Sequence, residues 1–128
     1  MEAKELRIGN NLEVNGKIVS IGAITNESIS VLGLELNRYK PFRLIDENIN
    51  PILLTEEWLL KFGFFKVEDI DNTYSKLCFE IEINEGVVTL LLGDISTFTF
   101  VCKSVHQLQN LYFALTGEEL KLNENGKP

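Results

Sequence analysis

Histidine, methionine and tryptophan each occur once in these 128 residues, cysteine twice and proline three times. A single His106 with two dispersed cysteines, Cys78 and Cys102, cannot build a zinc site of recognisable ligand spacing. The same scarcity disfavours a Ser-His-Asp or Cys-His catalytic set, which needs a histidine held by an orienting acid. Two cysteines are too few for a disulfide scaffold and suit a reducing compartment, so the chain is expected in the cytoplasm. No run of about 18 apolar residues is present, so no membrane span is expected. Residues Met1 to Ile8 lack the apolar core of a secretory signal. Cations are also few: 12 Lys and Arg stand against 19 Asp and Glu, a formal charge of −7. Nucleic-acid binding rests on cations that neutralise phosphates, so direct binding of DNA or RNA is not expected.

Phosphate-cradling and metal-binding loops are missing too. The glycines at 9, 16, 22, 33 and 63 are scattered as turn and cap residues rather than gathered into a phosphate loop. In "DIDN", Asp69 and Asp71 hint at a calcium loop, but its glycine and its distant glutamate are absent. No cofactor, no metal and no enzymatic activity are expected.

What is present is an ordinary globular composition, 45% hydrophobic and 24% charged, which excludes wholesale disorder. Length predicts one α+β domain over residues 1–120 with a flexible tail over 121–128. In "LEVNGKIVSI", Asn15-Gly16 lies between apolar runs, the strongest short hairpin signal. A turn at Thr25 to Glu27 and alternation through Ile29 and Val31, then Leu34 and Leu36 past Gly33, predict a small SH3-like barrel or meander. Gly33 suits a bulge. A connector, Pro41 to Asn50, carries a strand at Phe42 to Ile45.

"PILLTEEWLLKFGF" is a short helix. Thr55 is its N-cap, Glu56 and Glu57 lie in its first turn, and Gly63 takes the left-handed position that ends it. Trp58 reads as core. After an acidic loop over residues 66–73, "YSKLCFEIEINEGVVTLLLGDISTFTFVCK" reads as three strands. In the first, Leu77, Phe79, Ile81 and Ile83 share one face, and Lys76, Cys78, Glu80 and Glu82 the other. Cys102, near the end of the third, reads as core. The last helix begins at a Ser104–Gln107 capping box and stops at Gly117. Its core stripe is Val105, Leu108, Leu111, Tyr112 and Leu115.

Two places remain open to a partner. Glu68, Asp69, Asp71, Glu80 and Glu82, with Glu85, make an acidic zone interrupted only by Lys76, suited to meeting a basic surface. On the last helix, His106, Gln109, Asn110 and Phe113 form an edge outside the core stripe. Both readings compete with plain ones, a solvated charged strand and a helix that serves only the fold.

The segments "LRIGN", "NGKIVSI", "LTEEWLLKFGF" and "VHQLQNLYFALTGEEL" resemble parts of small proteins carried by Bacteroidetes genomes and their phages and prophages. The resemblance spans about a third of the chain and leaves out residues 65–103. It implies a setting, a phage or mobile element, and no site residue comes with it. In that setting the chain is expected to be a non-enzymatic binding protein. Its partner would be a basic or nucleic-acid-binding host protein, and its role anti-CRISPR-like inhibition of a host nucleic-acid-handling or defence protein. The alternative is an accessory module of nucleic-acid complexes.

Overall fold

Asn15 and Gly16 both adopt positive φ, 51° and 81°, and close the hairpin between β1 (Asn11–Val14) and β2 (Lys17–Ile24). Such a turn matches the twist of the strands it joins. In this computed structural model residues 1–32, 40–45, 48–76, 79–84, 87–92 and 99–122 are described. The chain divides into two compact units: Met1–Ile52 with Ser104–Glu119, and Leu53–Lys103 with Leu120–Pro128. Residues 53–103 therefore interrupt the first unit between its last strand and its helix.

In the first unit, β3 (Ser28–Leu32), β4 (Lys40–Arg43) and β5 (Ile49–Asn50) join the hairpin in an antiparallel sheet ordered β4-β3-β2-β1-β5. Strands β1 to β4 run as a meander and β5 crosses back to pair with β1, so the sheet is curled as a half-barrel, within the expected small barrel or meander, with β4 and β5 at its edges. Alternation places Leu12, Val14, Val19, Ile21, Ile29, Val31, Phe42 and Ile49 in one buried cluster. A register shift between Ile21 and Ala23 puts the bulge at Gly22, and Gly33 lies outside the described residues. The connector strand begins at Lys40 rather than Phe42, and Ile49–Asn50 is a short strand the sequence did not announce. Leu44 donates to the Glu27 carbonyl at 2.8 Å. Ladder bonds alternate, so Phe42 and Lys40 also face β3 and the ring nitrogen of Pro41 faces the open edge.

The second unit opens with α1 (Glu56–Lys61). Thr55 Oγ accepts from the Trp58 amide at 3.4 Å. Phe64 N–H donates to Leu59 O and Gly63 N–H to Leu60 O, both at 3.0 Å, with Gly63 at φ 90°, the paired bonds of a Schellman ending. Six residues make too little helix to stand alone. Packing and a clamp from β7 (Thr73–Lys76) hold it: Lys76 Nζ donates to Phe62 O at its end, 2.8 Å away, while at its start burial first, and the Glu56 carboxylate second, raise the pKa of Tyr74. Trp58 is buried, as expected, and its ring lies 5.6 Å from that of Phe62.

The sheet of this unit runs β10-β9-β8-β7-β6, with β6 (Phe65–Lys66), β8 (Phe79–Asn84), β9 (Val87–Leu92) and β10 (Thr99–Val101), all pairings antiparallel. The single strand expected from Tyr74 to Ile83 is two, because Lys76 pairs with Phe79 and the chain reverses between them. Residues 77–78, Cys78 among them, lie outside the described residues, and the sequence there holds no Gly, Asn or Asp to signal a turn. Lys76 consequently shares the face of Tyr74, Phe79 and Ile81, all three buried, rather than that of the glutamates. The pairing of β6 with β7 also shortens the acidic loop to residues 67–72. Cys102 is buried, as expected.

Candidate functional site

The last helix, α2 (Val105–Thr116), has both expected ends. Ser104 Oγ accepts from the Gln107 amide, and the Gln107 side chain accepts from the Ser104 amide at 3.2 Å. Gly117 is left-handed and its N–H reaches Phe113 O at 2.8 Å. Within the first unit this helix lies against β1. Val105, Leu108 and Tyr112 are buried and Leu111 partly so, but Leu115, in the last turn, is 51% exposed.

The helix edge proposed for a partner is mostly closed. His106 and Gln109 are each 3% exposed, because the N-terminal segment from Glu5 to Asn11 covers that flank. Gln109 Oε1 accepts from the Asn11 amide at 2.8 Å, and Nε2 donates to Gly9 O at 3.2 Å and to Asn11 Oδ1 at 3.0 Å. Asn110 Nδ2 donates to Glu5 O at 2.9 Å, and its Oδ1 accepts from Asn10 at 2.8 Å. These two amides fasten strand and segment to helix and leave little polar capacity for a partner.

His106 Nδ1 lies 3.3 Å from Ser104 Oγ. Burial lowers its pKa, and the Glu5 charge opposes that shift without reversing it. Serine and histidine are therefore neighbours, but Ser104 is buried and occupied as a cap, so the pair presents no accessible nucleophile. Of this edge Phe113 is the most open, at 38% exposed, and Asn110 is partly exposed. The Arg7 guanidinium sits 4.0 Å from its ring centroid and pairs with Glu119. Arg7 and Glu119 were not foreseen, since more than a hundred residues separate them and neither belongs to a motif.

The acidic residues all fall in the second unit. Glu68, Asp69 and Asp71 are exposed in the loop between β6 and β7, and Glu80 is exposed on β8. Register joins the two groups: Glu82 pairs with Thr73 at the foot of the loop, and Ile83 N–H donates to Asn72 O at 2.9 Å. Asn72 turns the chain there with a left-handed φ of 58°. Among the described residues, Glu68, Asp69, Asp71 and Glu80 form no ion pair. Glu85 lies outside the described residues.

Sequence reasoning passed over Phe65, which is 61% exposed and pairs with Ser75, itself opposite Glu80. The strand that carries Phe65 is only two residues long, too short to leave a period. Also unforeseen is an open groove of 740 Å³ in the first unit, between the 3-10 turn at Ala3–Glu5, the Asn26–Glu27 turn and the Arg43–Ile45 end of β4. Its lining mixes Lys4 and Arg43 with Glu2 and Glu27, so it favours no one charge.

Among the described residues no three His, Cys, Asp or Glu side chains gather as metal ligands, and no helix is long and apolar enough to cross a membrane. No protein family, curated protein or solved structure matches this chain.

Proposed function

We propose that this chain is a non-enzymatic binding protein that meets a basic protein surface with the acidic face of its second unit. The observation that supports this reading is the register that gathers Glu80 and Glu82 beside the loop of Glu68, Asp69 and Asp71. Exposed carboxylates, here Glu68, Asp69, Asp71 and Glu80, raise the encounter rate with a cationic partner and discriminate against anionic ones. In a phage or mobile element, the partner would be a host nucleic-acid-handling or defence protein, and binding would inhibit it in the manner of an anti-CRISPR protein. The Phe113 edge of α2 is a secondary contact at most, because its neighbours His106 and Gln109 are inside.

The test is a pull-down with the tagged chain from a Bacteroidetes host lysate, with and without nuclease, read by mass spectrometry. The expected result is one basic protein that survives nuclease, is released as salt is raised, and is lost with the Glu68→Lys, Asp71→Lys, Glu80→Lys variant. Capture of nucleic-acid complexes that vanish with nuclease would instead favour an accessory role in such complexes.

A further inference from the structure

Phe65, Ser75 and Glu80 stand side by side on three neighbouring strands, and directly opposite residues in an antiparallel sheet share a face. That face is the one turned away from α1, because Lys76, whose Nζ holds the end of α1, lies on the other side of β7 from Ser75. Strands lie about 4.8 Å apart, so Phe65 and Glu80 are roughly 10 Å apart across the middle strand. A tall aromatic and a tall carboxylate thus flank a small hydroxyl, and the row is a trough.

Contacting atoms sit about 3.5–4 Å apart, so a roughly 10 Å span takes one planar group in contact with both walls. The group must carry positive charge to suit Glu80, and it gains from lying on a ring face. A guanidinium does both, because it stacks on aromatics and presents a fork of donors to a carboxylate, whereas an ammonium is a compact, strongly hydrated point charge. The surrounding charge agrees. Residues 53–103 hold nine acidic side chains against four basic ones. Of those four, Lys61 pairs with Glu57, Lys76 is committed to Phe62 O, and Lys66 lies in register with Tyr74 on the other face.

We infer that the Phe65–Ser75–Glu80 row is an arginine-reading trough, and that the partner docks an arginine-bearing segment there. The inference rests on the acidic-face reading above and narrows its partner from basic to arginine-bearing. Phe65 is well exposed, so replacing it removes a wall of the trough without opening the core.

The experiment titrates the full chain at low salt with a labelled Arg-Gly-Ser repeat peptide and with its lysine twin, identical in charge and length. The expected result is about two- to five-fold tighter binding of the arginine peptide, the size of one exposed cation–π contact. Phe65→Ala should abolish that preference and leave the lysine peptide unchanged. Ser75→Val, which fills the trough and suits a strand, should do the same. Equal binding of both peptides, weakened alike by Glu80→Gln, would overturn the trough while supporting the acidic face. Binding of neither peptide would overturn both.

Discussion

Gln109 shows how a polar side chain can look like a recognition residue and be a fastener. It lies outside the apolar stripe that a helical wheel draws, yet three hydrogen bonds tie it to Gly9 and Asn11. Nothing in the local sequence announces a partner about a hundred residues away, so its burial was not legible. His106 is the neighbouring case, and its burial has a consequence for pH. Its pKa is lowered in the fold, so above about pH 6.5, the ordinary histidine value, folded and unfolded chains are both neutral there and the group is indifferent. As pH falls through that value the unfolded chain takes up a proton that the folded chain resists, and stability drops until the folded pKa is passed. Urea unfolding at several pH values between 7 and 5 should therefore show a loss in the native chain that is smaller in His106→Gln. Parallel curves for the two would count against a buried neutral imidazole.

Element ends were more legible than element faces. Thr55, Gly63, Ser104, Gln107 and Gly117 are cap residues whose chemistry acts over three or four positions, and each acts at the place read from sequence. Asn15-Gly16 is equally local. The errors lie where no turn residue marks a reversal, between Lys76 and Phe79, and where pairing away from the local sequence decides: the two-residue strand at Phe65 and the covering of one flank of α2 by the N-terminal segment. The acidic candidates were legible as a run, but their union across Thr73 and Glu82 required the register. The ending of α1 is the sharpest test at this scale. A side chain at the left-handed Gly63 costs about 1–2 kcal/mol, and a helix this short has no spare turn to absorb it. Gly63→Ala should thus lower the urea midpoint with an unchanged slope, whereas Gly63→Asn, which tolerates that conformation better, should recover part of the loss.

For the whole chain, the insertion of residues 53–103 into the first unit matters most. Within that first unit Val105 N–H donates to Ile52 O at 2.8 Å, so the two cut ends of the unit already meet. A chain of residues 1–52 joined to 104–119 by a short glycine linker should fold. The expected outcome is a cooperative thermal transition and dispersed amide NMR signals, with the buried Gln109 amide protected from exchange. A collapsed, undispersed spectrum would show that the first unit depends on the second.

That interruption also sets an order of events on the ribosome. The strands β1 to β5 emerge first, but α2, which Gln109 and Asn110 fasten to the N-terminal segment, is still unmade. At about 5–20 residues per second, roughly three to ten seconds pass before it appears. During that interval the nascent sheet waits without its helix while the continuous part of the second unit is synthesised and can close. Pro41, with its ring nitrogen on the open edge of β4, meanwhile offers no donor there to a strand from a neighbouring nascent chain. The edge proline thus acts as a safeguard during synthesis, when an exposed and unfinished sheet is most prone to pair with the wrong chain.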